Sequence, residues 1–65
     1  MDYFGYVFRD FRGDDTVGVV CATSVFDAEQ CVRRFYSKVA DDIDWTTLQI
    51  KPLDPHNAVC ALYYG

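Results

Sequence analysis

The chain has 65 residues, ten of them acidic and six basic, so its net charge is −4 near neutral pH. This length predicts one domain, residues 1–65, and the aromatic fraction of 17% argues against disorder. The acidic balance disfavours direct binding to nucleic acid, because phosphate neutralisation needs Lys and Arg, and it favours partners with basic surfaces.

The first part of the chain predicts two strands joined by a turn. Tyr3–Phe11 alternates its side chains between two faces, and both faces carry large apolar residues. Arg12–Asp15 is polar, contains glycine and predicts a hairpin loop. Thr16–Thr23 is rich in β-branched residues and predicts the second strand.

The single helix is predicted over Ser24–Val39. Ser24 is placed to cap it, and Asp27 stands near the capping-box position and the positive end of the helix dipole. Apolar residues recur at the spacing of one helical face, at Ala28, Cys31, Val32, Phe35, Tyr36 and Val39. We expect Phe35 to be the main core contact of the helix, so that Phe35→Ala costs about 3–5 kcal/mol.

Two more strands complete the predicted fold. Trp45–Leu53 is the third strand, Asp54–Asn57 is a turn with Pro at its second position, and Ala58–Tyr64 is the fourth strand. The order strand-strand-helix-strand-strand predicts an α+β fold, in which a four-stranded antiparallel sheet carries one helix on one face. We expect the strand order 4-3-1-2, with the first strand beside the third.

One face of such a sheet is left without a helix, and the sequence does not determine which. If Phe4, Tyr6 and Phe8 point inward, the opposite face carries Tyr3, Val7, Phe11, Val59, Ala61 and Tyr63. Two interpretations stay open for this open face. It is either ordinary apolar surface, which every protein has, or a contact patch for a second copy or another protein.

Two groups of aspartates are candidate sites. Asp41, Asp42 and Asp44 follow the predicted helix, and a second group in the first hairpin consists of Asp10, Asp14 and Asp15. Each group is either a solvated loop or an acidic patch for a basic partner. If both lie toward one side, their carboxylates can imitate the charges of a phosphate backbone. A metal site is not predicted, because the spacing lacks the Gly and distal Glu of a calcium loop.

The remaining polar residues give no indication of a catalytic site or of a cofactor. His56 is the only histidine, lies in the predicted turn, and has no Ser or Cys near it in sequence. One helix and one sheet can hardly enclose the ~300–1,000 Å³ usual for small ligands. The basic stripe of the helix, Arg33, Arg34 and Lys38, is interpreted as a solvated face, and a weak contact with nucleic acid or an acidic protein remains the alternative.

The three cysteines and the first residues of the chain indicate in which cellular compartment we expect the protein. Cys21, Cys31 and Cys60 are odd in number, form no C-x-x-C pair and fall on apolar stripes, so we expect buried, reduced thiols. The opening stretch has an Asp and no basic segment, so we expect no secretory signal. The apolar runs are too short to cross a bilayer, and the cytoplasm of a cell or infected host is expected.

In size, acidity and architecture the chain resembles the small phage-encoded inhibitors of the anti-CRISPR type. The resemblance implies a non-catalytic protein that blocks a basic nucleic-acid-binding surface of a CRISPR-Cas effector, with DNA mimicry as one way to do so. It implies a protein partner, no direct contact with nucleic acid or membrane, and either a monomer or a homodimer. The candidate partner-binding residues are Asp14, Asp15, Asp41, Asp42, Asp44, Tyr3 and Tyr63.

Two alternatives stay open. Tyr3–Lys51, with the order strand-strand-helix-strand, resembles the small domain of HicB-type antitoxins, although the DNA-binding segment usual in that family has no counterpart here. The other alternative is a dimeric structural or assembly protein that uses the open sheet face. The sequence leaves the partner and the oligomeric state undetermined.

Overall fold

The computed structural model describes residues 1–53. Four regular elements and one 3₁₀ helix follow one another: β1 Asp2–Asp10, β2 Asp15–Ala22, α1 Val25–Phe35, the 3₁₀ helix Ser37–Asp42 and β3 Ile43–Pro52. The predicted turn at 54–57 and the predicted fourth strand at 58–64, with Tyr63 and Cys60, lie outside the described residues.

The strands form an antiparallel sheet with the order β2-β1-β3, and α1 packs on one face. The predicted α+β class and the pairing of the first strand with the third are therefore confirmed. Within residues 1–53 the sheet has three strands rather than the predicted four. Both predicted strands of the first hairpin begin and end one residue earlier than expected.

The core lies between α1 and the sheet face formed by the even-numbered residues of β1. Phe4, Tyr6 and Phe8 are buried there, which leaves Tyr3 on the open face. At one end of the core Phe4 packs with two small residues, Ala22 of β2 and Ala28 of α1. At the other end Tyr6 and Phe8 pack with the helix and with the start of β3, through Val32 and Ile43.

The start of α1 is capped as predicted. The Ser24 hydroxyl accepts a hydrogen bond from the backbone N–H of Asp27 at 3.1 Å. The Asp27 carboxylate in turn accepts bonds from the backbone N–H and the hydroxyl of Thr23, both at 3.2 Å. These bonds satisfy donors that a helix start otherwise leaves unpaired, and they fix the turn out of β2.

The helix ends at Phe35, earlier than the predicted end at Val39, and the tighter 3₁₀ helix carries the chain to β3. Phe35 is 79% exposed, so its predicted role as the main core contact is wrong. Val39 is also exposed, and Ala28 and Val32 make the central contacts instead. Phe35 and Cys31 lie toward β2, where they border a groove, and β2 is the last strand of the described sheet on that side.

Tyr6, Gly18 and Tyr36 form a contact that joins three elements. Tyr6 pairs in register with Gly18 of β2, and a side chain at Gly18 would overlap the Tyr6 ring. The Tyr6 hydroxyl shares a hydrogen bond of 2.8 Å with the hydroxyl of Tyr36, at the end of α1. Burial, followed by this hydrogen bond, raises the pKa of Tyr6 to about 12. Gly18 is thus the residue that lets the phenol lie across β2.

A bulge interrupts β3. Val7 pairs with Gln49, and Arg9 pairs with Asp44. Between these two pairs β1 advances by two residues and β3 by five, so β3 carries three extra residues. The Thr47 hydroxyl accepts a bond of 2.8 Å from the Arg9 backbone N–H and donates one of 2.6 Å to the Asp44 carbonyl.

The bulge changes which residues of β3 face the core. In a regular strand, residues an odd number apart point to opposite faces. Ile43 and Ile50 are seven apart, yet both contact the core, because the bulge inserts an odd number of residues. The predicted start of this strand at Trp45 is therefore wrong, and Ile43 is a core residue that the sequence analysis missed.

The two phenylalanines Phe8 and Phe35 provide a matched test of the core. Phe8 is 3% exposed, so Phe8→Ala should lower the free energy of unfolding by about 3–5 kcal/mol. Phe35→Ala should lower it by less than about 1 kcal/mol, since little apolar area is lost from the core. Urea denaturation followed by circular dichroism at low protein concentration measures both. Equal losses would contradict the placement of α1.

The raised pKa of Tyr6 predicts that the folded protein loses stability at alkaline pH. Its folded-state pKa of about 12 lies above the ordinary value of 10.0, so the fold favours the neutral phenol. This contribution is complete below pH 10 and is lost as the pH rises from 10 to about 12. Tyr6→Phe should cost about 1 kcal/mol near neutral pH, because the bond to Tyr36 is lost. The gap between the two proteins should narrow across that window in denaturation measurements and then change sign, because the shift of the Tyr6 pKa is linked to more free energy than this one bond contributes. A constant gap would contradict the assignment.

Candidate functional site

The two predicted groups of aspartates meet at one end of the sheet. The turn between β1 and β2 lies beside the start of β3, where the Phe11 backbone N–H donates to the Asp42 carbonyl at 3.0 Å. Asp10 pairs in register with Ile43, and Arg9 pairs with Asp44. We call this end, with its six carboxylates, the acidic end; it comprises Asp10, Asp14, Asp15, Asp41, Asp42 and Asp44.

Asp10 organises the turn at the acidic end. One carboxylate oxygen accepts bonds of 2.9 Å from the backbone N–H groups of Arg12 and Asp14, and the other lies 3.4 Å from the Arg12 guanidinium. The hydrogen bond from the Asp14 backbone leads the causes that lower the pKa of Asp10. Gly13 adopts a φ of 93°, which a residue with a side chain rarely takes. Asp10 therefore has a structural role.

Asp15 and Asp44 also have local partners. The Arg9 guanidinium donates to Asp15 at 2.9 Å, which lowers the pKa of Asp15 and raises that of Arg9. The Asp44 carboxylate accepts bonds from the backbone N–H and the hydroxyl of Thr46, within the bulge. Because the carboxylates of Asp10 and Asp44 are held by backbone N–H groups, the loops of the acidic end are fixed in place.

Three carboxylates of the acidic end are left for contacts with other molecules. Asp14, Asp41 and Asp42 are exposed, and no hydrogen bond or ion pair among residues 1–53 uses their side chains. The end carries six carboxylates against two guanidinium groups, those of Arg9 and Arg12. The other charged side chains of residues 1–53 are three acidic and four basic. The excess of negative charge in that part of the chain is therefore concentrated at this end.

Tyr3 lies far from the acidic end. It is exposed on the open face and pairs in register with Cys21, whose sulfur lies 3.8 Å from that of Met1. Tyr3 and Asp10 are seven residues apart on one strand, which corresponds to about 24 Å. The structure therefore brings together the five predicted aspartates and separates Tyr3 from them, while Tyr63 lies outside the described residues.

The open face has an apolar part and a polar part. On β1 and β2 it presents Tyr3, Val17, Val19 and Cys21, all exposed. On β3 it presents Gln49 and Lys51, which pair in register with Val7 and Gly5 of β1. The apolar part is therefore confined to the side of the sheet that ends at β2.

A half-open recess of about 430 Å³ lies beside the bulge, on the open face. Residues of all three strands line it, among them Val7, Arg9, Asp15, Thr47 and Gln49. The recess is open to solvent on one side, so the prediction that one helix and one sheet can hardly enclose a ligand-sized pocket stays a prediction. The guanidinium inside the recess is engaged by Asp15. A bulge leaves no mark in the alternation of residues, so the sequence analysis had no signal for this recess.

The basic stripe of the helix is partly engaged. The Arg33 guanidinium lies 4.8 Å from the centre of the Trp45 ring and 3.4 Å from the Glu29 carboxylate. Trp45 itself packs on Phe8 at a ring separation of 5.8 Å. Arg33 thus helps to hold α1 against β3.

Among residues 1–53, no three His, Cys, Asp or Glu side chains are grouped so that they could hold a metal ion. No helix among the same residues has the length and apolar character needed to cross a membrane. Comparisons of the chain with models of protein families, with curated proteins and with solved structures find no match.

The cysteines differ from the prediction of buried thiols. Cys21 is exposed on the open face and Cys31 is half-buried; both are free, and Cys60 lies outside the described residues. The alternation of β2 does not show which of its faces meets the helix, so the sequence predicts a buried Cys21 where the structure exposes it.

We expect Cys21 to react rapidly with a thiol reagent under native conditions, and Cys31 to react more slowly. Exposure controls the access of the reagent to the sulfur. Peptide mass spectrometry after timed labelling separates the two sites, and Cys21→Ser is the control. Faster labelling of Cys31 than of Cys21 would contradict the assignment of faces.

Proposed function

We propose that the protein acts by stoichiometric binding, with its acidic end against a basic surface of a nucleic-acid-handling protein. The observation that carries the proposal is the convergence of two acidic groups, distant in sequence, at one end of the sheet. Asp14 comes from the first hairpin and Asp42 from the 3₁₀ helix, and their side chains are unengaged among residues 1–53.

Like charges that lie close together destabilise the folded state by repulsion. At a binding surface the same concentration of charge favours association with a partner. A concentrated field attracts oppositely charged partners and speeds their encounter. The field acts over about 8 Å at physiological ionic strength, so it selects partners with a local basic patch. The bonds of Asp10 and Asp44 hold the loops in place before binding, which reduces the entropy lost in the complex.

The partner class follows from the chemistry of carboxylates. Arginine binds carboxylates and phosphates in the same two-pronged geometry, so a surface built for a nucleic-acid backbone also accepts clustered aspartates. We propose that the partner is a CRISPR-Cas effector subunit in the cytoplasm of a phage-infected cell, and that the protein is a phage-encoded inhibitor of the anti-CRISPR type. Inhibition would then need one protein per site and no catalysis.

The test uses a purified CRISPR-Cas effector with its guide RNA, taken from the natural host. The variant Asp14→Asn with Asp42→Asn removes one unengaged charge from each acidic group. The control Asp2→Asn with Glu29→Gln removes the same charge away from the acidic end. At low salt the first pair should slow association about tenfold and the control much less, measured by biolayer interferometry. Competition with target DNA should weaken in parallel.

Salt provides the second arm of this experiment. Association of the parent chain should slow as salt rises, and the acidic-end variant should lose most of that dependence. Equal effects of the two variant pairs would show that only overall charge matters. Unchanged affinity after neutralisation of both acidic groups would make the acidic-end mechanism wrong.

A second candidate is favoured by the order of elements. β1-β2-α1-β3 is the order expected of the small domain of HicB-type antitoxins. In that case the partner is a toxin protein rather than a nucleic-acid-binding effector. A toxin gene beside the coding sequence favours this candidate, and a phage operon with a helix-turn-helix regulator favours the inhibitor. Binding to the neighbouring gene product, measured in the same assay, separates the two.

A further inference from the structure

The outer edge of β2 is the least protected part of the described sheet. β2 lies at one side of the order β2-β1-β3, and nothing among residues 1–53 pairs with its outer edge. Natural proteins guard such edges with charges, prolines or bulges, because unpaired backbone groups attract another strand. From Thr16 to Ala22 the edge has none of these devices: it is uncharged, contains no proline and pairs with β1 without a shift.

Exposed apolar side chains surround this edge on both sides of the sheet. Val17 and Val19 are exposed on the open face, Val19 at 62%. On the helix face a groove of about 220 Å³ runs between β2 and α1, and it is lined by Val19, Val20, Cys31 and Phe35 among others. Phe35, at 79% exposed, borders this groove rather than the core. An added strand would bury the groove and cover Val19.

We propose that a second copy of the chain occupies this edge, so that two β2 strands pair antiparallel and form one continuous sheet. The two-fold axis then passes near the middle of β2 and perpendicular to the sheet. Both helices lie on the same side, and Phe35 of each copy projects over the seam, where it packs on the partner copy. The interface is self-complementary, as a two-fold contact requires.

Charge selects this arrangement. The excess negative charge of residues 1–53 lies at the acidic end, which includes Asp15, the first residue of β2. Antiparallel pairing places the two acidic ends at opposite ends of the seam, about 24 Å apart for an eight-residue strand. That separation is about three screening lengths at physiological ionic strength, so the repulsion is small. Parallel pairing would set the two acidic ends side by side, where their repulsion disfavours it.

The first experiment is sedimentation equilibrium of the full chain from about 5 to about 500 μM, which brackets the affinities of small interfaces. The mass should rise from 7.5 kDa toward twice that value. Val19→Lys sets two like charges across the seam and should weaken the dimer at least about tenfold. Gln49→Lys is the control, since it adds the same charge to the same face on the opposite strand, β3. A monomer at every concentration, or equal effects of the two substitutions, would overturn the proposal.

The second pair of variants tests the helix side of the seam. Phe35 and Phe26 are both exposed residues of α1, nine positions apart and so on opposite sides of the helix. Phe35→Ser should weaken the dimer, and Phe26→Ser should leave it unchanged. Circular dichroism checks that each variant is folded. A dimer that is weakened by Phe26→Ser and not by Phe35→Ser would overturn the placement of the interface.

Hydrogen exchange distinguishes a second copy from any other occupant of the edge. The β2 amides that point away from β1 should become protected as the protein concentration rises, and Val19→Lys should remove this protection. Protection that is the same at every concentration would mean that another part of the same chain covers the edge, and it would overturn the proposal.

Discussion

The contact between Tyr6, Gly18 and Tyr36 is the constraint on which the rest of the fold depends. A phenol on the central strand can lie across β2 only because Gly18 has no side chain, and its hydroxyl then meets the hydroxyl of Tyr36 at 2.8 Å. This one bond joins residues 30 positions apart and ties the end of α1 to the central strand. Phe35 precedes Tyr36 directly, so fixing Tyr36 toward the core leaves Phe35 turned out beside β2. The 3₁₀ helix that follows brings Asp42 to the turn after β1.

Much of the exposed apolar surface is separated from the acidic end along the molecule; Phe11, exposed in the turn of the acidic end, is an exception. The acidic end lies where β1 finishes and β3 begins, whereas Tyr3 and Cys21 lie at the other end of the sheet. Such a separation lets one contact depend on salt and another on apolar burial, with little interference between them. Backbone N–H groups hold Asp10 and Asp44, and this offsets part of the repulsion that the acidic end creates.

Local sequence patterns predicted the helix and the strands of residues 1–53. The exposure of single side chains and the convergence of the aspartates depend on how those elements pack in three dimensions. Ser24 and Asp27 cap the helix as their spacing indicated, and the first strand lies between the other two as expected. Helical spacing could not reveal that Phe35 is exposed, because the spacing shows which residues share a face and not how wide the sheet beneath them is. The convergence of the aspartates depends on the pairing of Asp10 with Ile43. That pairing depends on a bulge that the sequence pattern does not predict.

The bulge in β3 also limits how the length of this chain can change. Its three extra residues set the side-chain phase between Ile50 and Ile43, so the loss or gain of a single residue there would reverse that phase. Ile43 would then point to solvent and Asp44 toward Phe8. A change of two residues would preserve the phase and alter only the size of the recess beside Thr47. Related chains that differ in length at this position should therefore differ by even numbers of residues, and the recess should vary among them while the core does not.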